Sequence, residues 1–120
     1  MDILVVDDSR TMRVILQRAI RQAGYPALTV EEAENGSQAL EKLRAAKAKL
    51  IMSDWNMPEM SGIDLLRELR AGANETPFIF VTSESSADIR KIALETGANM
   101  LLTKPFTTDD IQEALAPILG

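Results

Sequence analysis

Five short apolar runs alternate with five stretches of helical period along this chain, and that alternation limits the fold more than any single residue does. The runs are Ile3–Val6, Leu28–Glu31, Leu50–Ser53, Phe78–Val81 and Met100–Leu102. Each is too short for a buried helix and suits a strand. Between the first two, Met12, Ile15, Leu16, Ala19, Ile20 and Ala23 recur at spacings of three and four. This predicts an amphipathic helix capped by Ser9 and stopped at Gly24. A second helix is expected to start at Asn35-Gly36 and bury Ala39, Leu40 and Leu43. The third turns Ile63, Leu66 and Leu69 inward, the fourth Ile89, Ile92 and Ala93, the fifth Ile111, Ala114, Leu115 and Ile118. Ser61 with Asp64, Ser85 with Asp88, and Thr107 with Asp110 have capping-box spacing.

Strands alternating with helices predict a parallel sheet covered by helices on both faces and joined by right-handed crossovers. Phe78–Val81 is apolar throughout, as in a strand buried on both sides. Leu28–Glu31 is partly polar and suits a sheet edge. A chain of 120 residues has room for one such domain, spanning 1–120.

The sequence holds no cysteine and no histidine. Thiol chemistry, disulfides, the usual zinc ligands and the usual general base are therefore absent. Carboxylates, hydroxyls and lysine remain, which favours a hard cation such as magnesium. The net charge of −5 argues against direct binding of nucleic acid or of an acidic membrane surface. No run approaches the roughly 20 apolar residues that span a bilayer. The start, MDILVVDDSR, lacks the pattern of a signal peptide, so the cytoplasm is the expected compartment.

In an open parallel sheet, ligands bind beyond the C-terminal ends of the strands. Strand one ends in Asp7-Asp8, strand three in Asp54, strand four in Thr82-Ser83 and strand five in Thr103-Lys104. Three carboxylates brought to one edge repel one another unless a cation offsets them. Two or three aspartates and a backbone carbonyl suit magnesium; three solvated loop acids are the plain alternative. Lys104 can pair with a carboxylate or a phosphoryl oxygen, or lie along the sheet edge. Thr82 can donate to an incoming oxygen or simply end a strand. The isomer of the Lys104–Pro105 bond is open at this level.

The segments ILVVDDSRTMR, SDWNMPEMSG, VTSES and LLTKPF, in this order and spacing, resemble the receiver domain of bacterial two-component response regulators. The likeness runs from Ile3 to Leu119 and is nearest to single-domain chemotaxis-type regulators. It implies a flavodoxin-like (βα)5 sandwich with strand order 2-1-3-4-5. By resemblance, Asp54 is the phosphoacceptor, taking its phosphoryl group from a phosphohistidine of a sensor histidine kinase. Asp8, Asp54 and the backbone carbonyl of Asn56 would ligate Mg2+, with Asp7 acting through a water. Lys104 would contact a phosphoryl oxygen, and Thr82 would be the switch hydroxyl. Asn56 and Glu84 would tune dephosphorylation, Asn56 by orienting a water and Glu84 by pairing with a lysine or arginine. A partner phosphatase could use the same entrance. The chain would be a monomeric signalling switch that catalyses only its own phosphorylation and dephosphorylation, not a metabolic enzyme.

Strand five departs from the chemotaxis pattern. Leu101 stands where those regulators usually carry an aromatic residue, with less area and no hydroxyl. The output would be a protein contact on the face of helix four, strand five and helix five, with Arg90, Lys91, Leu94 and Glu95 at its surface. A flavodoxin-like electron carrier is the competing class. It needs a phosphate-binding loop after strand one, and VVDDSRTM is acidic and lacks glycine. A receiver that serves only for docking is a third reading, opposed by the intact set of acids.

Overall fold

The computed structural model describes all residues, 1–120. Strands β1 (Ile3–Val6), β2 (Val30–Ala33), β3 (Leu50–Ser53), β4 (Phe78–Thr82) and β5 (Met100–Thr103) alternate with five helices. These are α1 (Arg10–Gln22), α2 (Gly36–Ala45), α3 (Gly62–Ala71), α4 (Ala87–Thr96) and α5 (Thr108–Leu119). The strands form one parallel sheet in the order β2-β1-β3-β4-β5. The expected (βα)5 sandwich is therefore present, strand order included.

Successive strand residues point to opposite faces, and the two faces carry separate cores. Ile3, Val5, Leu50, Met52, Ile79 and Val81 meet Leu16, Ala19 and Ile20 of α1 and Ile111, Ala114 and Leu115 of α5. Leu4, Val6, Ile51, Phe78, Phe80 and Leu101 meet Ala39 of α2, Ile63, Leu65, Leu66 and Leu69 of α3, and Ala93 of α4. β4 is buried at every position, the polar Thr82 at its end included, and its apolar run Phe78–Val81 suits an interior strand. No helix is long and apolar enough to cross a membrane.

Local details differ from the sequence pattern. β2 begins two residues later than expected, because Thr29 is occupied in closing the strand pair. Its carbonyl accepts from the Asp2 and Ile3 N–H groups, and the ladder starts at Ile3–Val30. Glu31 and Glu32 then lie exposed on the sheet edge. The α4 cap is Ser86, whose hydroxyl accepts from Ile89 N–H, and not Ser85. Adjacent serines are equivalent caps, so only the path of the loop decides between them. Ser61 caps α3 from one side only, while Thr107 and Asp110 form the reciprocal box. Ile15 and Ile92 are exposed. In α1 the inward place goes to Arg13, which the sheet side buries.

Candidate metal and phosphoryl site

The parallel ladders run one residue past the strand ends and so set the site. Asp54 N–H donates to the Val6 carbonyl, which puts Asp54 beside Asp7. Asp7 N–H donates to the Ala33 carbonyl, and Lys104 N–H to that of Thr82. The carboxylates of Asp7, Asp8 and Asp54 can each offer an oxygen within 4.8 Å of the others. Asp7 is buried, Asp54 half-buried and Asp8 exposed.

Lys104 bridges two of these acids. Its Nζ lies 3.1 Å from Asp7 Oδ2 and 3.3 Å from Asp54 Oδ2. The Lys104–Pro105 peptide is cis. The remaining carboxylate oxygens meet backbone donors: Asp7 Oδ1 accepts from Ser9 N–H at 2.9 Å, and Asp54 Oδ1 from Trp55 N–H at 2.7 Å. Burial is the largest influence on Asp54 and pushes its carboxyl above the usual range. The lysine opposes this, the negative charge of Asp7 adds to it, and the hydrogen bonds from Trp55 and Lys104 pull back. One lysine for three crowded carboxylates leaves net negative charge in a partly desolvated niche. All-oxygen donors in such a niche fit a hard divalent cation of the magnesium type, which keeps several waters and takes few carboxylates.

The remaining expected residues frame this niche. Thr82 is fully buried, and its Oγ1 accepts from Glu84 N–H at 3.2 Å. Asn56 and Glu84 face each other across the opening, Nδ2 to Oε1 at 3.4 Å. Glu84 thus meets Asn56, and not the lysine or arginine expected for it. Leu101 is buried between the sheet and α4, in the cluster that holds Ala93 and Ala98.

Fold and geometry agree with independent likenesses. Residues 3–116 match the response regulator receiver domain family. The chain belongs to the response regulator receiver family. It is 43% identical to chemotaxis protein CheY1 of Helicobacter pylori, over 100% of this chain and 98% of that protein. Against the CheY homologue of Campylobacter jejuni the identity is 39%, over 100% and 93%. The structure of Vibrio cholerae chemotaxis protein CheY4 superposes with a TM-score of 0.86 at 32% identity, covering 98% of each chain. A receiver of this class is a phosphorylation switch and not a metabolic enzyme, and it works between a histidine kinase and a downstream effector. The acidic triad at the receiver's sheet edge is placed for magnesium.

Three neighbours of the triad, Gly62, Ser53 and Arg13, lie within the motif segments without a role assigned to them there. Gly62, the first residue of α3, packs against the backbone carbonyl of Asp54, and any Cβ there would overlap that oxygen. Ser53 Oγ donates to the same carbonyl at 2.9 Å. Arg13 donates from Nη1 to the Asp7 carbonyl at 2.6 Å. Its helical phase was the available signal, since it lies three residues before Leu16 and seven before Ile20.

Proposed function

We propose that residues 1–120 form one receiver domain whose phosphoacceptor is Asp54, with Asp8, Asp54 and the Asn56 carbonyl as magnesium ligands and Asp7 in support. The carrying observation is the contact of Lys104 Nζ with both Asp54 and Asp7 inside the three-acid niche. An Asp54 oxygen attacks the phosphorus of a phosphohistidine. The P–N bond breaks, its electron pair stays on the imidazole nitrogen, and an acyl phosphate forms on Asp54. Phosphoryl transfer asks for charge neutralisation and in-line placement more than for a strong base, so the lack of histidine is no obstacle. Magnesium, when bound, offsets the charge shared by carboxylates and phosphoryl oxygens.

Lys104 then turns from the free carboxylate to a phosphoryl oxygen. Thr82 Oγ1 accepts a hydrogen bond from Glu84, so its own proton is available to the phosphoryl group. A phosphoryl group brings about −1.5 to −2 charges. Drawing Thr82 inward moves the loop that leads into α4. Leu101 repacks beneath that helix and supplies, by a rotamer change, the motion for which other chemotaxis regulators use an aromatic ring. The signal leaves through α4, β5 and α5, where Ile92 and Leu94 are exposed.

Similarity to chemotaxis proteins supports a chemotaxis-type kinase as donor and a chemotactic output. The chain acts as a monomer in the cytoplasm. Water reaches the acyl phosphate past Asn56 and Glu84, where a phosphatase also enters.

The test is to add magnesium with acetyl phosphate or beryllofluoride and follow Trp55 fluorescence. Trp55 adjoins Asp54 and packs on Phe80, with ring centroids 4.8 Å apart. A magnesium-dependent change that Asp54→Asn abolishes is expected. No fluorescence change, together with no phosphate incorporated into the wild-type chain, sinks the reading.

A further inference from the structure

Arg13 lies in the first turn of α1, where the N-terminal end of a helix disfavours positive charge, and that turn holds no acid. It is also buried, with 7% of its surface exposed. A buried cation is expensive to desolvate, and a well-packed apolar residue commonly serves stability as well or better. Its contacts point to another role. Nη1 donates to the Asp7 carbonyl at 2.6 Å, and Nε to Glu32 Oε1 on the sheet edge at 2.8 Å. Arg13 is the first cause of the lowered carboxyl of Glu32, which keeps that partner charged.

The loop between β1 and α1 is closed on itself by three further bonds. Ser9 N–H donates to Asp7 Oδ1, Met12 N–H to Ser9 Oγ, and Arg13 N–H to the Ser9 carbonyl. None of these holds the peptide between Asp7 and Asp8. The guanidinium does, because a planar peptide whose oxygen is fixed carries the Asp8 nitrogen and Cα with it. The direction in which the Asp8 side chain leaves the backbone follows from that plane. A two-armed, planar donor suits the task, since Arg presents a rigid fork and Lys a single rotating point charge.

We propose that Arg13, braced by Glu32, is a positioning residue for the magnesium site: it fixes the Asp7–Asp8 peptide and so holds the exposed Asp8 carboxylate at the metal. This rests on the metal-site reading above.

The test is a magnesium titration followed by Trp55 fluorescence, without any phosphodonor, on wild type, Arg13→Met and Arg13→Lys. Loss of an outer partner of a metal ligand commonly weakens metal binding by about 10–100-fold. That loss is expected for Arg13→Met, and a several-fold loss for Arg13→Lys, whose single nitrogen does not reproduce the separate Nε and Nη1 donations. Saturating magnesium is expected to bring acetyl phosphate labelling of Arg13→Met back toward the wild-type rate, which separates a displaced ligand from lost chemistry. Folding is checked by far-UV circular dichroism and melting; Arg13→Lys decides the matter if Arg13→Met does not fold. Folded variants with wild-type magnesium affinity and only a lower Tm overturn the proposal and leave the metal site standing. A wild-type chain that binds no magnesium overturns both.

Discussion

The α-carbon of Gly62 packs directly against the backbone carbonyl oxygen of Asp54, leaving no room for a Cβ. The loop from β3 therefore folds back on the residue it starts from, and Gly62 N–H closes it on the Trp55 carbonyl at 2.8 Å. Backbone cannot yield as a flexible side chain can. Gly62→Ala is expected to destabilise by about 2–4 kcal/mol, at and beyond the upper part of the usual range for overpacking. Gly72→Ala meets only ordinary contacts, the Glu68 carbonyl at 3.5 Å being the nearest, and serves as the control. Denaturant unfolding of the two variants gives the comparison, and a loss below about 1 kcal/mol for Gly62→Ala is incompatible with this packing.

Lys104 is the one cation that touches both Asp7 and Asp54. All three side chains are largely buried, so removing the lysine leaves two uncompensated acids. Lys104→Met is expected to destabilise the metal-free protein by about 2–4 kcal/mol. Magnesium should recover part of that loss, since a ligand that binds only the folded form stabilises it. Thermal melts in chelator and in excess magnesium measure both effects. Equal Tm for wild type and variant in chelator would show that the bridge contributes nothing.

Asp54 gives the metal-free protein a definite pH dependence. Its folded carboxyl titrates above the unfolded value, chiefly because of burial. Its contribution is therefore fully present below the unfolded carboxylate value of about 4 and is lost as pH rises through the folded one. At neutral pH the ionised group opposes folding. Asp54→Asn is expected to raise Tm in chelator at pH 7 by about 2–5 °C, with the gap closing as pH falls toward 4. A variant that melts below wild type at pH 7 contradicts the cause assigned to the shift.

Asn56 and Glu84 link the two loops at the mouth of the niche, 3.4 Å apart. On the proposed function, water that hydrolyses an acyl phosphate on Asp54 would pass between them. A single hydrogen bond made to that water is worth about 1–1.5 kcal/mol, or about tenfold in rate. Asn56→Ala is expected to lengthen the phosphorylated lifetime by about that factor, and Glu84→Ala by less. Decay of labelled protein after removal of the donor reads the lifetime directly.

Much of this was legible in one dimension. Parallel strands place their C-terminal ends together, so Asp7, Asp8, Asp54, Thr82 and Lys104 could be assigned to one edge from the apolar runs alone. The same periodicity misled where tertiary packing overrode it. Ile15 and Ile92 fit the helical stripe and are exposed, while Arg13 shares the phase of Leu16 and Ile20 and is buried. An apolar count treats arginine as solvent-facing and cannot see the buried Asp7 carbonyl and the sheet-edge Glu32 carboxylate that receive it. The start of β2 and the choice of Ser86 over Ser85 also escaped the pattern. Both depend on backbone hydrogen bonds made by residues distant in sequence or by the path of a loop.

The order of strands and helices by itself determined the architecture, which edge carries the chemistry, and the oxygen-rich character of that edge. It did so because burial of apolar periods and the connection rules of parallel sheets act on local pattern. Only the tertiary structure decided that Lys104 bridges Asp7 to Asp54, that Gly62 must lack a side chain, and that Arg13 holds the Asp7–Asp8 peptide from inside. Those relations link residues from different elements across a few ångströms, and no spacing along the chain encodes a distance of that kind.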